Sequence, residues 1–492
     1  MSKKYTEYKT LNLPEVAEDV KKLWDEHNVF DQSISTREGK PGFVFYEGPP
    51  SANGLPGIHH AMGRTIKDIF CRYKTLQGFQ VKRKAGWDTH GLPVELGVEK
   101  EMGITKEDIG KKISIDEYNK ACRETVMRYT DKWNKLTEDM GYWVDMENPY
   151  VTYESKYMES VWWLLKQLFE KGLIYKGYTI QPYSPKAGTG LSSHELNQPG
   201  CYKDVKDTTV VAQFLAKENT NSPFNYKGEV FFLAWTTTPW TLPSNTALTV
   251  GPKIEYSLVR TFNQYTGDPI HVVLASNLVG KQFGKPYFNA ENEEDFGSYA
   301  LGNKKIPYQV LETCFGKDLV GWKFEQLLPF AQPAENPENA FVVIPGDFVT
   351  TEDGTGIVHT APTFGADDAK VAADAGVPGL LVENEKGQLV PLVDLQGKFR
   401  PEMGEYAGKY VKNEYYNDDE VPEKSVDVEL AIALKTANRA FKVEKYEHSY
   451  PHCWRTDKPV LYYPLDSWFI KSTAAKDRMM ELNKTINWKP EA

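Results

Sequence analysis

The sequence predicts an α/β protein: a parallel sheet with crossover helices at the start, and a separate, mostly β domain inserted further along. Three observations predict it. Between Gly42 and Lys84 the chain reads strand, Gly/Pro-rich loop, long helix, strand; that βαβ order implies parallel strands and a right-handed crossover. From Cys201 to about Gly404 it turns to short strands punctuated by Gly, Pro, Asn and Asp, among them Val210–Leu215, Glu229–Trp235, Ile254–Arg260, His271–Ala275 and Phe341–Ile344, the pattern of a sandwich or barrel. Helical periodicity then returns over Val428–Phe441. The expected division is therefore 1–200, 201–404 and 405–492.

The elements follow in order. Val16, Val20, Leu23 and Trp24 fall on one face of a helix from Pro14 to Phe30, with Pro14 suited to its first turn. Gly42–Tyr46 is a short apolar strand. After the loop Glu47–His60, a long helix carries Met62, Ile66, Ile69, Tyr73 and Leu76 as one stripe and stops at Gly78. Strand alternation resumes over Phe79–Lys84, where Lys82-Arg83-Lys84 reads as a solvated face or, in the alternative, as a contact to a nucleic acid. Ser114 and Glu117 have the spacing of a capping box; they open a helix with the stripe Tyr118, Cys122, Tyr129, Trp133 and Leu136, ended by Gly141. Another amphipathic helix runs from about Glu154 to Lys171.

Composition narrows the class. The 492 residues carry 58 basic and 68 acidic side chains, net −10, and are 40% hydrophobic. That suits about three domains of about 150 residues each. Twelve Trp, 28 Tyr and 23 Phe exclude a disordered chain. No apolar run approaches the ~18 residues of a membrane span. Five scattered cysteines, an odd number, argue against a disulfide scaffold and for a reducing cytosol. The Met1-Ser-Lys-Lys start has no apolar targeting core.

Chemistry enters at the loop. A strand opening through glycines and prolines into a helix holds anions, because the first helical N–H groups have no intrahelical partner and the dipole is positive there. His59 and His60 stand at that entrance, where imidazole can donate to phosphate oxygens. Asp88 follows Gly86-Trp87 just past the next strand, where open α/β sheets bind ligands; its carboxylate can hold an ammonium by a charge-assisted hydrogen bond. In the β region, Trp235-Thr-Thr-Thr-Pro-Trp-Thr-Leu-Pro-Ser-Asn245 places four threonine hydroxyls within six residues.

The wording of Tyr46-Glu-Gly-Pro-Pro-Ser-Ala-Asn-Gly-Leu-Pro-Gly-Ile-His-His60 resembles the nucleotide-binding signature of class I aminoacyl-tRNA synthetases. Gly86-Trp-Asp-Thr-His-Gly-Leu-Pro-Val-Glu95 resembles the partner motif of the isoleucyl branch. The likeness extends along the whole chain. It implies a Rossmann-type catalytic core, incomplete here, with an inserted β-barrel editing domain. It implies ATP-dependent activation of isoleucine, transfer to tRNA(Ile) and hydrolysis of mischarged valine. By position, His60 matches the last His of the family's His-x-Gly-His motif. Gly57 and His59 stand exchanged relative to the common order, as in a minority form, which leaves open which imidazole reaches the phosphates. The exchange predicts altered affinity for inhibitors of this site; unchanged binding after reverting both residues would count against that. Pro49 matches the residue against the aliphatic substrate side chain, and Asp88 the one on its ammonium.

A single methylene separates valine from isoleucine. In an apolar pocket it is worth about 1–3 kcal/mol, a value for which this enzyme type is the standing example and which is no result of the present structure. Binding alone is then too blunt, and a second, hydrolytic site must exclude isoleucine by size. The threonine run resembles the family's editing peptide, and Gly354-Thr-Gly-Ile-Val-His359-Thr-Ala-Pro-Thr-Phe-Gly-Ala-Asp-Asp368 resembles its companion. By resemblance Thr236, Thr237, Thr238 and Thr241 position water and the terminal ribose, Asn245 and His359 are further editing-site residues of the two segments, and Asp368 holds the ammonium. Asp368 also reads as an N-cap. No Ser-His-Asp constellation is evident, so activated water is favoured over a covalent intermediate.

His448, His452 and Cys453 invite zinc. The family's first Cys pair is absent from Tyr183–Thr189, and the second is halved because Cys453-Trp-Arg-Thr456 ends in Thr; the reading is against zinc. Magnesium is expected with ATP, and no obligate protein partner is evident. No Lys-Met-Ser-Lys-Ser loop or anticodon-binding helices occur, so the chain reads as an N-terminal portion, expected to activate isoleucine poorly while hydrolysing valyl-tRNA. The competing readings are a valyl or leucyl relative, a freestanding deacylase, and a nucleotide-binding module without chemistry.

Overall fold

The computed structural model describes residues 10–218, 222–226 and 228–488. The chain divides into two compact units, Met1–Tyr175 with Ile470–Ala492, and Lys176–Phe469. These limits fall elsewhere than the expected 200 and 404. The reason is β pairing: the strand after residue 404 that would begin a third part instead lies antiparallel along the first long strand of the β region.

In the first unit, β1 (Gly42–Tyr46), β2 (Gln80–Trp87) and β3 (Asp145–Val151) form a three-stranded sheet in that order, and both pairings are parallel. Helices α1 (Leu13–Glu26), α2 (Val29–Ser35), α3 (Ile58–Leu76), α4 (Leu92–Met102), α5 (Ile115–Val126), α6 (Thr130–Asp139) and α7 (Ser155–Glu170) accompany it. The first expected helix is thus two, broken where Asn28 takes φ +46°, a left-handed turn that Asn tolerates. The helix opened by Ser114 is also two: the capping box is present, but the helix breaks before Tyr129, whose N–H donates to the Ala52 carbonyl at 3.0 Å. On α3 the expected apolar stripe is exposed, with Met62 at 64% and Leu76 at 84%, while Arg64, Cys71 and Thr75 are buried. Arg83 does not lie on a solvated face: β2 is the middle strand, its alternate residues Val81, Arg83 and Ala85 are buried, and Arg83 bonds Thr75 Oγ1 at 2.8 Å.

The second unit contains β4 (Ile174–Ser184, which begins at the boundary), β5 (Thr189–Gly190), β6 (Tyr202–Leu215), β7 (Phe231–Thr236), β8 (Ala247–Val250), β9 (Glu255–Phe262), β10 (Pro269–Ala275), β11 (Tyr287–Asn289), β12 (Ile306–Phe315), β13 (Val342–Pro345), β14 (Ile357–Thr360), β15 (Leu381–Glu383), β16 (Leu389–Pro391), β17 (Ala440–Pro451) and β18 (Leu461–Ile470). The last expected helix ends early, at Thr436, and Phe441 belongs to β17. Strands β6, β7, β14, β8 and β13 pair in sequence round a wall. The wall closes through the segment 322–325: Phe324 and Val343 donate to Phe341 and Trp322 on one side, and Lys217 and Glu325 exchange bonds with Lys323 and Leu215 on the other, all at 2.8–2.9 Å. Closure into a barrel removes the unpaired edges of an open sheet. Its core includes Phe214, Phe232, Leu248, Leu258 and Phe324. Across β7 and β8 nearly every residue is buried, which is why both read as continuous apolar or Thr-rich runs rather than as alternation.

Candidate active sites

In the first unit the loop after β1 is tied down along its length. Asp88 N–H donates to the Pro50 carbonyl at 3.0 Å, and Tyr129 N–H to that of Ala52 at 3.0 Å. The Trp133 indole N–H donates to Gly54 O at 2.9 Å. The Asp88 bond places the residue after β2 beside the Pro49-Pro50 step, so the two candidate amino-acid-binding positions come together. Among the described residues the Asp88 carboxylate itself has only a long contact, 3.4 Å, with the His90 N–H, which leaves it open to a ligand.

The loop and α3 enclose a cleft of about 320 Å³ lined by Pro49, His59, His60, Arg64, Lys67 and Trp133, with other loop residues. His60 Nδ1 accepts the Gly57 N–H at 2.9 Å, so the ring proton sits on Nε2, the remaining donor. Burial first, then neighbouring His59 and Arg64, lowers its pKa; the ring is a neutral donor at pH 7. His59 is exposed and packs on His60 at 3.8 Å between centroids. A Cβ on Gly57 would lie 2.9 Å from His59 Cε1. The exchanged motif is therefore self-consistent: the imidazole at 59 occupies the room that a side chain at 57 would need. Glu47, Lys67 and Arg64 escaped the sequence reading. Buried Glu47 is held by Lys67 and by the Tyr142 hydroxyl, and Arg64 bonds Thr137. The missed signal was helical spacing, since His60, Arg64 and Lys67 fall at i, i+4 and i+7 of one face.

The second site lies where β7, β8 and β14 meet. Val358 of β14 pairs with Trp235 of β7, and His359 with Leu248 of β8. Thr236 ends β7, and Pro239–Ser244 form a 3₁₀ turn before β8. Thr236 Oγ1 accepts the Thr238 N–H at 3.1 Å, and the hydroxyls of Thr236, Thr238 and Thr241 follow one another at 3.3 and 3.4 Å, with Thr237 half-buried between them. His359 is buried and bonded at both nitrogens. Asn245 Nδ2 donates to Nδ1 at 2.8 Å, which places the ring proton on Nε2, 3.0 Å from Thr241 Oγ1. The Thr241 hydroxyl in turn donates to the Thr238 carbonyl at 2.8 Å. Burial drives the His359 pKa down to about 3. Neutral and saturated, this imidazole orients Thr241; it has no free lone pair for a water proton.

Asp368 is not an N-cap. Gly365 caps the helix Ala366–Asp374, and Asp368, three residues in, folds back to accept the Ala361 N–H at 2.8 Å. A Cβ on Gly365 would come within 2.8 Å of the Asp368 carboxyl carbon, so a side chain there would push the carboxylate off this return. Because Ala361 follows β14, the carboxylate is anchored two residues beyond His359. Burial raises its pKa to about 6, against the lowering effect of the Ala361 bond.

His448 faces Asp207 at 3.2 Å and His452 the Tyr450 carbonyl at 2.9 Å. Among the described residues no three His, Cys, Asp or Glu side chains are grouped to hold a metal, and none of their helices is long and apolar enough to cross a membrane.

A family model described as tRNA synthetases class I (I, L, M and V) matches residues 19–492. The isoleucine–tRNA ligase of Bacteroides fragilis is 61% identical over 508 residues, covering 100% of this chain and 44% of that protein. That of Cytophaga hutchinsonii is 62% identical over 499 residues, covering 99% and 44%. Isoleucine–tRNA ligase 2 of Bacillus thuringiensis is 43% identical over 473 residues, covering 96% and 40%. The chain thus spans less than half the length of these relatives.

Proposed function

The chain belongs to the class I tRNA synthetases of the I, L, M and V group, and from that premise we propose that it holds two sites of an isoleucine–tRNA ligase: a nucleotide and amino-acid cleft, and a hydrolytic site that clears valine from tRNA(Ile). The observation that carries the second half is the contact between Thr241 and His359, 118 residues apart in the chain, with Asp368 anchored just beyond.

In the cleft, ATP phosphates would meet the N-terminus of α3 and the Nε2–H of His60, with Lys67 and Arg64 offsetting negative charge. Magnesium would arrive with ATP as part of the substrate. The isoleucine ammonium would pair with Asp88, and its side chain would lie against Pro49. In the barrel, ionised Asp368 would hold the ammonium of the esterified valine. The hydroxyls of Thr236, Thr237, Thr238 and Thr241 would hold the terminal ribose and the attacking water, with Asn245 and His359 fixing Thr241. Water adds to the ester carbonyl, the acyl–oxygen bond breaks, and the ribose oxygen leaves with a proton. The substrates place this chemistry in the cytosol.

The reading is tested by incubating the chain with valyl-tRNA(Ile) and, separately, by pyrophosphate exchange with isoleucine and ATP. Release of valine with weak exchange is expected. Valyl-tRNA(Ile) left intact by a folded chain would overturn the hydrolytic half.

A further inference from the structure

The barrel does not hold the threonine turn alone. Asp427, second residue of the helix Val426–Thr436, is 4% exposed. Its Oδ1 accepts the main-chain N–H of Trp240 at 2.8 Å. That bond fixes the peptide plane one residue before Thr241, the hydroxyl that His359 addresses. A buried carboxylate needs a partner, and buried Lys412 supplies the nearby positive charge. Lys412 Nζ donates to Asp207 Oδ2 at 2.9 Å and lies 4.8 Å from the centre of the Tyr450 ring. On its other side Asp207 Oδ2 meets His448 Nε2 at 3.2 Å. Glu414 adds further negative charge toward the same group. A cluster of charged and polar groups, buried at Lys412 and Asp427 and half-buried at Asp207 and His448, thus ends on one backbone N–H of the candidate site.

We propose that Asp427 is a positioning residue for ester hydrolysis: it holds the Trp240 N–H so that the Thr241 hydroxyl stays in register with His359. This rests on the hydrolytic reading. A role confined to charge balance around Lys412 makes a different prediction. Asp427→Ala and Asp427→Asn both remove the charge, but only Ala removes the acceptor.

The test compares both variants of the full 492-residue chain, which has nine histidines, in valyl-tRNA(Ile) hydrolysis and in the side-chain ¹H–¹⁵N spectrum of histidine-labelled protein. Asp427→Ala is expected to lower kcat about ten-fold or more with KM little changed, and to shift the His359 Nε2–H signal; Asp427→Asn should restore kcat to within about three-fold and keep that signal in place. Equal behaviour of the two variants, or an effect confined to KM, would overturn the proposal. Should Asp427→Ala fail to fold, the double variant Asp427→Asn with Lys412→Met keeps only the acceptor. Near-normal kcat and an unmoved His359 signal then support the proposal, and loss of either overturns it. If the unaltered chain hydrolyses nothing, the hydrolytic reading fails, and the histidine signal still decides whether Asp427 holds the turn.

Discussion

The two candidate sites are built in opposite ways. The cleft beside α3 is made of loop backbone pinned at four carbonyl or amide groups, and its helix turns Ile58, Met62, Ile66 and Leu76 outward. On α7 no residue is buried, and Trp162 and Trp163 are 61% and 60% exposed. The barrel site sits on strands buried along their length, and His359 is bonded on one side to Thr241 and on the other to Asn245. An anion cradle needs only N–H groups at a helix start and a few cations, so it tolerates an open setting. A site that orients water and a ribose needs hydroxyls fixed to fractions of an ångström, which a closed core supplies.

This contrast can be broken in several ways, taken from the largest expected effect. Asp368→Ala should slow valyl-tRNA(Ile) hydrolysis by about 10- to 100-fold, the worth of a charge-assisted hydrogen bond to an ammonium, while ATP binding measured by calorimetry is unchanged. Thr241→Val leaves the His359 Nε2–H unpaired in the core, and denaturant unfolding should register a loss of about 1–3 kcal/mol. The pH profile of hydrolysis sharpens the comparison. With the Asp368 pKa near 6, the carboxyl is charged above that value and neutral below it, so kcat/KM should fall as pH drops through about 6. The buried His359 acts on stability in the same direction. Its folded pKa, about 3, lies below its ordinary 6.5, the unfolded chain binds the extra proton, and stability should decline as pH falls below 6.5. The smallest effect is kinetic: amides of β7, β8 and β14 should exchange with solvent more slowly than those of α3 and α7. Equal protection in both would erase the distinction.

Much of this was legible in the residues. The glycine–proline loop followed by a helix, the capping box at Ser114 and the start of the threonine turn are local chemistry and lie where local rules put them. What was missed depended on distant partners. The chain breaks before Tyr129 because Ala52, far upstream, takes its N–H. Arg83 is buried because β2 is a middle strand and Asp68 and Thr75 wait for it, which a run of three basic residues does not reveal. The N-cap alternative for Asp368 confines its carboxylate to the helix start, whereas the carboxylate returns to a strand end. Asp427 lies 187 residues from Trp240, and no spacing rule connects them.

The proposed division of labour is that the barrel sorts by size where the cleft is blunt. The direct measurement is the ratio of deacylation rates for valyl-tRNA(Ile) and isoleucyl-tRNA(Ile) with the same preparation. Rapid loss of valine, little loss of isoleucine and collapse of the difference in Asp368→Ala are expected. Equal rates for the two esters, or a ratio untouched by that substitution, would contradict it.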